Sequence, residues 1–390
     1  MRNRWLVLAG LFAVRTATGF SYQAVGSVSA SLVGSLGIDY AQLGVLIGLY
    51  DLPGVFLAIP GGLLGKRYGD KRVALLALWL MVCGGLLMGF SSSFVPAAAG
   101  RLLGGMGAVL LNVLLAKMVI DCFAGREIVL AMAILVSSWP FGISLALFTL
   151  GPLAAISSWQ LVMWLAAGIC LAALVLMLFV YRPPPLATAP KPARQGTLDL
   201  SLREARLVLL AALLWALLNA SFGSVLGFAP AFLTSAGYPV AAAGALVSVV
   251  AWLLIVSVQV GGFAAERFRR PNLTMLVAFA GAGAVFWLVP FVPDRLPLFV
   301  VLGLILGTPV GIIMSLAPAM LRPDNRAAGM GVFYTCYYGA VAGLTALAGL
   351  SRDITQRPEA PLLFGGSMMF LAIVILVLFR ALRARSLARA

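Results

Sequence analysis

Histidine is absent from the 390-residue chain, and only 12 acidic residues stand against 27 basic ones. Without histidine the chain lacks the commonest metal ligand and the usual general base near neutral pH. The four cysteines, Cys83, Cys122, Cys170 and Cys336, lie far apart, with neither the spacing of a metal site nor that of a redox pair. No Walker loop is present, so nothing here is expected to be driven by ATP. Charged residues make up 10% of the chain, where soluble globular domains run near a quarter, which argues against a water-soluble enzyme. Intrinsic disorder needs low hydrophobicity, and 62% hydrophobic residues exclude it. Neither a cofactor nor a metal is expected, and no enzymatic activity.

What the chain has is long apolar runs, with a mean hydropathy of +1.07. A helix crosses the ~30 Å hydrocarbon layer with about 20 apolar residues, because lipid cannot satisfy free backbone groups. Twelve such runs are legible, at 5–35, 41–64, 72–92, 95–121, 127–151 and 158–181, then at 207–235, 240–264, 272–292, 296–320, 327–350 and 361–382. The expected fold class is therefore an all-α membrane protein with twelve transmembrane helices. The first run is too long, and lacks a cleavage-like end, for a removable signal peptide. With both termini on one side, that side collects 22 of the 27 basic residues, while only Arg295, Arg352 and Arg357 face the other and Arg15 and Arg101 stay inside the spans. So lopsided a split predicts cytoplasmic termini and a multi-pass protein of the cell's inner membrane. It also explains the +15 net charge by topology, with some contact to anionic lipid heads. Nucleic-acid binding is not expected, since the basic loops carry no interleaved aromatics.

Segment 182–206 reads as a cytoplasmic linker. Arg182-Pro183-Pro184-Pro185 stops the sixth span, Pro190, Pro192 and Gly196 keep the chain extended, and Leu198 to Arg206 has the alternation of a short interfacial helix. The chain thus divides into a bundle at 1–181, the linker, and a bundle at 207–390. The halves echo each other at an offset of 200. Gly61-Gly62-Leu63-Leu64-Gly65-Lys66-Arg67-Tyr68 answers to Gly261-Gly262-Phe263-Ala264-Ala265-Glu266-Arg267-Phe268, and Gly37 and Gly44 answer to Gly237 and Gly244. Small-residue motifs also recur in apolar proteins because they let helices pack closely. The shared position within each half instead favours a parallel duplication of six spans.

The stretch Gly62-Leu63-Leu64-Gly65-Lys66-Arg67-Tyr68-Gly69-Asp70-Lys71-Arg72 resembles the signature between helices 2 and 3 of the major facilitator superfamily. Arg101-Leu102-Leu103-Gly104-Gly105-Met106-Gly107 is similar to that family's arginine motif in helix 4. The resemblance implies alternating-access transport by two six-helix bundles, with a cytoplasmic gate at Gly62, Lys66, Arg67, Gly69, Arg72, Glu266 and Arg267. One departure stands out: the family's usual aspartate is Lys66 here, while the second-half copy keeps an acid, Glu266. Finer likeness, in Tyr50-Asp51-Leu52-Pro53-Gly54 through Ile59-Pro60-Gly61-Gly62 and in Leu316-Ala317-Pro318 followed by Arg326-Ala327-Ala328-Gly329-Met330-Gly331, resembles the cyanate-permease-like branch, whose members are associated with small anions.

Three charges fall where charge is costly. Arg15 lies about 15 Å into the first span at ~1.5 Å per residue, Asp51 reaches the same depth from the other face, and Arg101 sits roughly 8 Å into the fourth. An ionised side chain at the centre of a membrane helix costs at least ~2.5–3.5 kcal/mol, so these groups face the interior and seek partners. Arg15 and Asp51 could pair, either as a bridge that orients two helices or as part of a site. Buried pairs are poor stabilisers against apolar packing, and the three charges sum to +1, which an anion would neutralise on arginine's planar fork. Asp51 would then load a proton when substrate takes Arg15 from it, a coupling of proton and cargo. Candidate substrate contacts are Arg15, Arg101, Tyr22, Gln23, Asn112 and Asn219, with Tyr334, Tyr337 and Tyr338 sharing one face of the eleventh span as a wall opposite Arg15, or else as packing. Thr308 and Ser315 complete a thin polar inventory in the second half. Lys117 and Asp121, four apart, read as a gate or surface pair.

The expectation is a secondary active transporter, acting as a monomer, that moves a small organic or inorganic anion with protons. The alternative is a proton-driven efflux antiporter for amphipathic or cationic compounds, with Asp51 as acidic anchor.

Overall fold

The computed structural model describes residues 4–123, 127–181, 201–268, 270–322 and 326–387. In lipid a backbone must satisfy itself within each segment, and every regular element among the described residues is a helix. The first half holds α1 (Arg4–Ser27), α2 (Ser29–Leu36), α3 (Tyr40–Gly48), α4 (Gly54–Tyr68), α5 (Asp70–Gly89), α6 (Phe94–Cys122), α7 (Ile128–Ile156) and α8 (Trp159–Val180). The second holds α9 (Leu202–Ser235), α10 (Val240–Phe268), α11 (Pro271–Leu288), α12 (Leu296–Leu306), α13 (Val310–Met320), α14 (Arg326–Thr355) and α15 (Ala360–Leu387). Three expected spans are each built of two pieces, α1 with α2, α3 with α4, and α12 with α13, so the fifteen helices among the described residues make twelve crossings in two sets of six.

Among the described residues, ten crossings are long and apolar enough to span a membrane by composition alone. The first crossing falls short where polar residues such as Arg15 lower the average of α1, and the second because its break leaves α3 and α4 only 9 and 15 residues long; α2 and α3 together pass as a bent pair, an eleventh candidate. The chain also turns sharply between α2 and α3, whose axes differ by 118°. Residues 202–206, expected in a separate interfacial helix, instead form the first turn of α9. Ser201 and Glu204 close a capping box there, with the Ser201 side chain accepting from the Glu204 amide. Residues 182–200, the rest of the expected linker, lie outside the described residues.

The duplication is visible in the backbone. Gly37 and Gly237 end the first crossing of their halves, both with positive φ, +61° and +92°, a conformation that costs glycine nothing. Seven residues on, Gly44 and Gly244 let the second crossing of each half meet the other half. A Cβ at Gly44 would overlap the Thr345 carbonyl of α14, and one at Gly244 the Leu147 carbonyl of α7. Two seams result, α3 against α14 and α10 against α7, both at the face opposite the termini.

The α3–α14 seam carries a charge. Asp353 of α14 accepts hydrogen bonds from the Tyr40 amide at 3.0 Å and the Ala41 amide at 2.6 Å, the open donors of the α3 N-terminus, which favours an anion. Arg352 stacks its guanidinium over the Tyr40 ring at 3.6 Å. Gln23 of α1 donates to the Leu226 carbonyl of α9 at 2.8 Å and closes the same face. At the termini face the polar contacts stay within halves: Arg4 with Glu127, Lys71 with the Leu178 carbonyl, Lys117 with Asp70, and Arg322 with Glu204. Among the described residues the polar contacts between the halves thus gather at the face opposite the termini and seal it.

Replacing a side-chain cap with alanine costs about 0.5–2 kcal/mol. Asp353→Ala is accordingly expected to raise the population open at the sealed face by roughly 2- to 30-fold. Spin-label distances across the α3–α14 seam measure this, and an unchanged distance distribution would show that the cap does not hold the seam.

Candidate functional site

The second crossing breaks at residues 49–53. Pro53 lacks an N–H and disfavours helical backbone in Leu52, and the Tyr50 amide turns to the Ile47 carbonyl at 3.3 Å. That leaves the Leu46 carbonyl without its helical donor. Arg101 of α6 supplies one, its Nε reaching Leu46 O at 2.9 Å, while Nη1 and Nη2 donate to the carbonyls of Ser21 at 3.2 Å and Tyr22 at 3.3 Å. The guanidinium also lies 4.5 Å from the centroid of the Tyr50 ring, and Tyr50 donates its hydroxyl to the Thr18 carbonyl at 3.2 Å. Arg101 is only 4% exposed. Its fork is thus occupied by protein, tying α1, α3 and α6 together.

Arg15 is placed differently. Its Nη1 donates to the Leu135 carbonyl of α7 at 3.1 Å, the one hydrogen bond it makes among the described residues, and its charge faces Tyr334 and Tyr338 of the other half. The pairing with Asp51 expected from equal depth does not form. Asp51 lies within electrostatic reach of Arg101, Tyr337 and Tyr338 and makes no ion pair among the described residues. Depth fixes how far along a helix a residue lies but not the direction it points. The α3–α4 break turns Asp51 toward α6 and α14, away from the α7 side of α1.

Aromatic rings join the two halves around these charges. Tyr22 packs on Tyr50 at 5.5 Å and on Trp139 at 5.4 Å, and Trp139 lies 6.5 Å from Phe222 of the second half. Across the gap, Tyr337 stacks with Tyr338 at 4.7 Å and with Trp215 at 5.9 Å, and Tyr334 lies 6.4 Å from Tyr338. Asn112 of α6 comes within polar reach of the Tyr338 hydroxyl. The Tyr338 ring packs where a Cβ on Gly54 would stand, and Thr335 donates to the Val55 carbonyl at 3.4 Å. Arg15, Tyr22, Asn112, Tyr334, Tyr337 and Tyr338 thus converge with Asp51 between the halves.

Other expected contacts lie elsewhere or turn inward. Gln23 belongs to the seal, 1% exposed. Asn219, Thr308 and Ser315 each bond a carbonyl of their own crossing, those of Trp215, Ile305 and Ile312. Lys117 pairs with Asp70 at 2.5 Å, not with Asp121. Of the gate residues, Gly69 joins α4 to α5 with φ +90°, Arg67 lies over the Tyr68 ring at 5.3 Å, and Arg72 and Arg267 are exposed. The side chains of Lys66 and Glu266, and the surroundings of Gly62, lie outside what is described. Sequence reading passed over Tyr50, Trp139, Trp215 and Phe222, whose signal was aromatic content at the depth of the charges.

This arrangement, two sets of six crossings around a charged and ring-lined centre, is that of a membrane carrier. A family model described as Major Facilitator Superfamily matches residues 11–346, and the chain belongs to that superfamily of transporters. It is 26% identical over 352 residues to a probable 4-methylmuconolactone transporter of Cupriavidus pinatubonensis (strain JMP 134 / LMG 1197), covering 84% of this chain and 80% of that protein. It is 28% identical over 182 residues to the 3-(3-hydroxy-phenyl)propionate transporter of Escherichia coli (strain K12), covering 45% of this chain and 44% of that protein. Among solved structures it is similar to the xylose transporter XylE from E. coli in an inward open conformation, with a TM-score of 0.80 at 12% identity over 97% of this chain and 96% of that one.

Arg101→Lys removes the planar fork that serves three carbonyls. It is expected to lower the melting temperature by several degrees while leaving cargo affinity within about twofold. An affinity loss of tenfold or more at unchanged stability would make Arg101 a cargo ligand instead.

Proposed function

We propose that the chain carries a small, ring-bearing organic anion across the membrane by alternating access, with a proton as the coupling ion. The observation behind this reading is Arg15: a guanidinium at mid-membrane depth, with one carbonyl partner and no carboxylate partner among the described residues, facing a wall of tyrosines. Such a group is costly in lipid, and its remaining donors match a carboxylate. The rings of Tyr22, Trp139, Phe222, Tyr337 and Tyr338 suit a flat apolar body behind that carboxylate. The relatives named for 4-methylmuconolactone and 3-(3-hydroxy-phenyl)propionate support a ring-bearing organic cargo, and the cyanate-permease-like likeness supports an anion.

In this reading Arg15 is the charge ligand, and Asn112, Tyr334 and Tyr338 supply hydrogen bonds. Asp51 carries the proton, since a carboxylate between the halves without an ion pair gains from taking one before the site crosses the membrane. Arg101 acts as a brace. The proposed gate is the loop from Gly62 to Arg72 with Glu266 and Arg267, and the basic face, with both termini, is cytoplasmic in an inner membrane. The bundles at 1–181 and 207–390 rock about the bound cargo as the Asp353 seam opens, and the carrier works as a monomer.

Uptake of labelled hydroxyphenylpropionate, benzoate, cyanate and nitrate into proteoliposomes tests the reading. The aromatic acids are expected to accumulate, and Arg15→Ala to cut their uptake tenfold or more. Accumulation of the inorganic anions alone, or equal uptake by Arg15→Ala, would overturn it. Asp51→Asn is expected to keep exchange of cargo but lose accumulation driven by a proton gradient. Gradient-driven uptake by that variant would remove Asp51 from the coupling step.

A further inference from the structure

Pro230 stands inside α9, and a proline there has no N–H to donate to the carbonyl four residues back. That carbonyl belongs to Leu226, and it is the one that Gln23 of α1 reaches at 2.8 Å. Gln23 and Leu226 are each 1% exposed and Pro230 is buried, so the carbonyl depends on a protein donor. Gly26, three residues beyond Gln23, makes the room. A Cβ there would stand 2.5 Å from both the Gln23 Nε2 and the Leu226 oxygen. At the repeat offset of 200, Gln23 answers to Gly223 and Pro230 to Ala30. Glycine has no side chain to donate and alanine keeps its N–H, so the equivalent positions make no such bond.

We propose that the Gln23–Leu226 hydrogen bond is a latch specific to the sealed state, and that Pro230 is what makes it one. A carbonyl inside a complete helix already has its donor, and a side chain from the other half adds little to it. A carbonyl stripped by proline is costly to leave unpaired away from water, so it holds the donor that reaches it. Gln23 reaches it only while α1 and α9 lie together. When the bundles rock apart, the proposed motion on which this inference rests, water entering at that face hydrates both groups and the bond no longer counts. The latch thus stabilises one state and leaves the other untouched. Arg101 makes the contrast, since its carbonyl partners at Leu46, Ser21 and Tyr22 lie in its own half and move with it. Gln23 directly follows Tyr22, whose ring packs on Tyr50 and Trp139 at the centre, so one helix carries both the latch and a wall of the site.

Spin-label distances across the α1–α9 contact of the purified full-length protein test this. Gln23→Leu is expected to raise the population open at that face roughly threefold or more, the worth of one hydrogen bond. In a Pro230→Ala background, where α9 regains the missing N–H, the same change is expected to have less than half that effect on a logarithmic scale. Simple loss of packing would not produce such coupling. Gly26→Ala is expected to open the face as Gln23→Leu does, and the two together to open it no further. That pair carries the test should Pro230→Ala prove polydisperse, and further opening by the second change would then overturn the proposal. Equal effects of Gln23→Leu in both backgrounds, or no effect while Asp353→Ala still opens the face, would overturn the proposal and leave the rocking motion standing. Unmoved distances in every variant, Asp353→Ala included, would overturn both.

Discussion

The Leu46 carbonyl loses its helical donor where the second crossing breaks, and the Arg101 Nε replaces that donor at 2.9 Å. Hydrocarbon offers no water to do so, and here the guanidinium behind the break supplies the donor. The break in turn frees Asp51 from a regular helix and aims it between the halves. A charge bound to backbone carbonyls thus underwrites a second charge that stays available. Arg15 follows the other pattern, with one carbonyl of α7 to orient it and the rest of its fork directed at the gap.

Two kinds of closure hold the halves together. Close approach of backbone at Gly44, Gly48 and Gly349 brings α3 and α14 into contact, and Gly244 and Gly151 do the same for α10 and α7. Packing of small residues is the ordinary glue between helices in lipid, because apolar burial alone gains little there. Asp353 adds direction to the first seam, because a helix N-terminus accepts an anion only from a narrow set of positions. Aromatic contacts from Trp139 to Phe222 and from Phe141 to Trp252, the latter at 5.2 Å, bridge the halves deeper in.

Most of the architecture was readable from apolar run length, and the 200-residue repeat survives as paired positive φ angles at Gly37 and Gly237. The helix breaks at Val28, at residues 49–53 and around Thr308 were not readable, since a hydropathy average blurs a few irregular residues into a continuous run. For the site, the depths of Arg15, Asp51 and Arg101 were legible, but their partners were not. Helix rotation decides partners, and rotation is fixed by packing among all neighbours. The tyrosine face of α14 could be read from spacings of three and four, and Trp215 and Phe222, seven apart, share a face of α9 by the same rule, whereas Trp139 stands alone on α7 with no period to mark it.

The two seams are secured by unlike means: α3–α14 by a carboxylate on open amides as well as by shape, α7–α10 by shape. Their tolerance of sequence drift should differ accordingly. The first admits no neutral side chain at position 353 without loosening, and the second no larger one at position 244 without wedging. A lineage adjusting how long the carrier dwells in each state therefore has a chemical dial on one side and a steric one on the other, and can turn either without disturbing the charged, ring-lined centre.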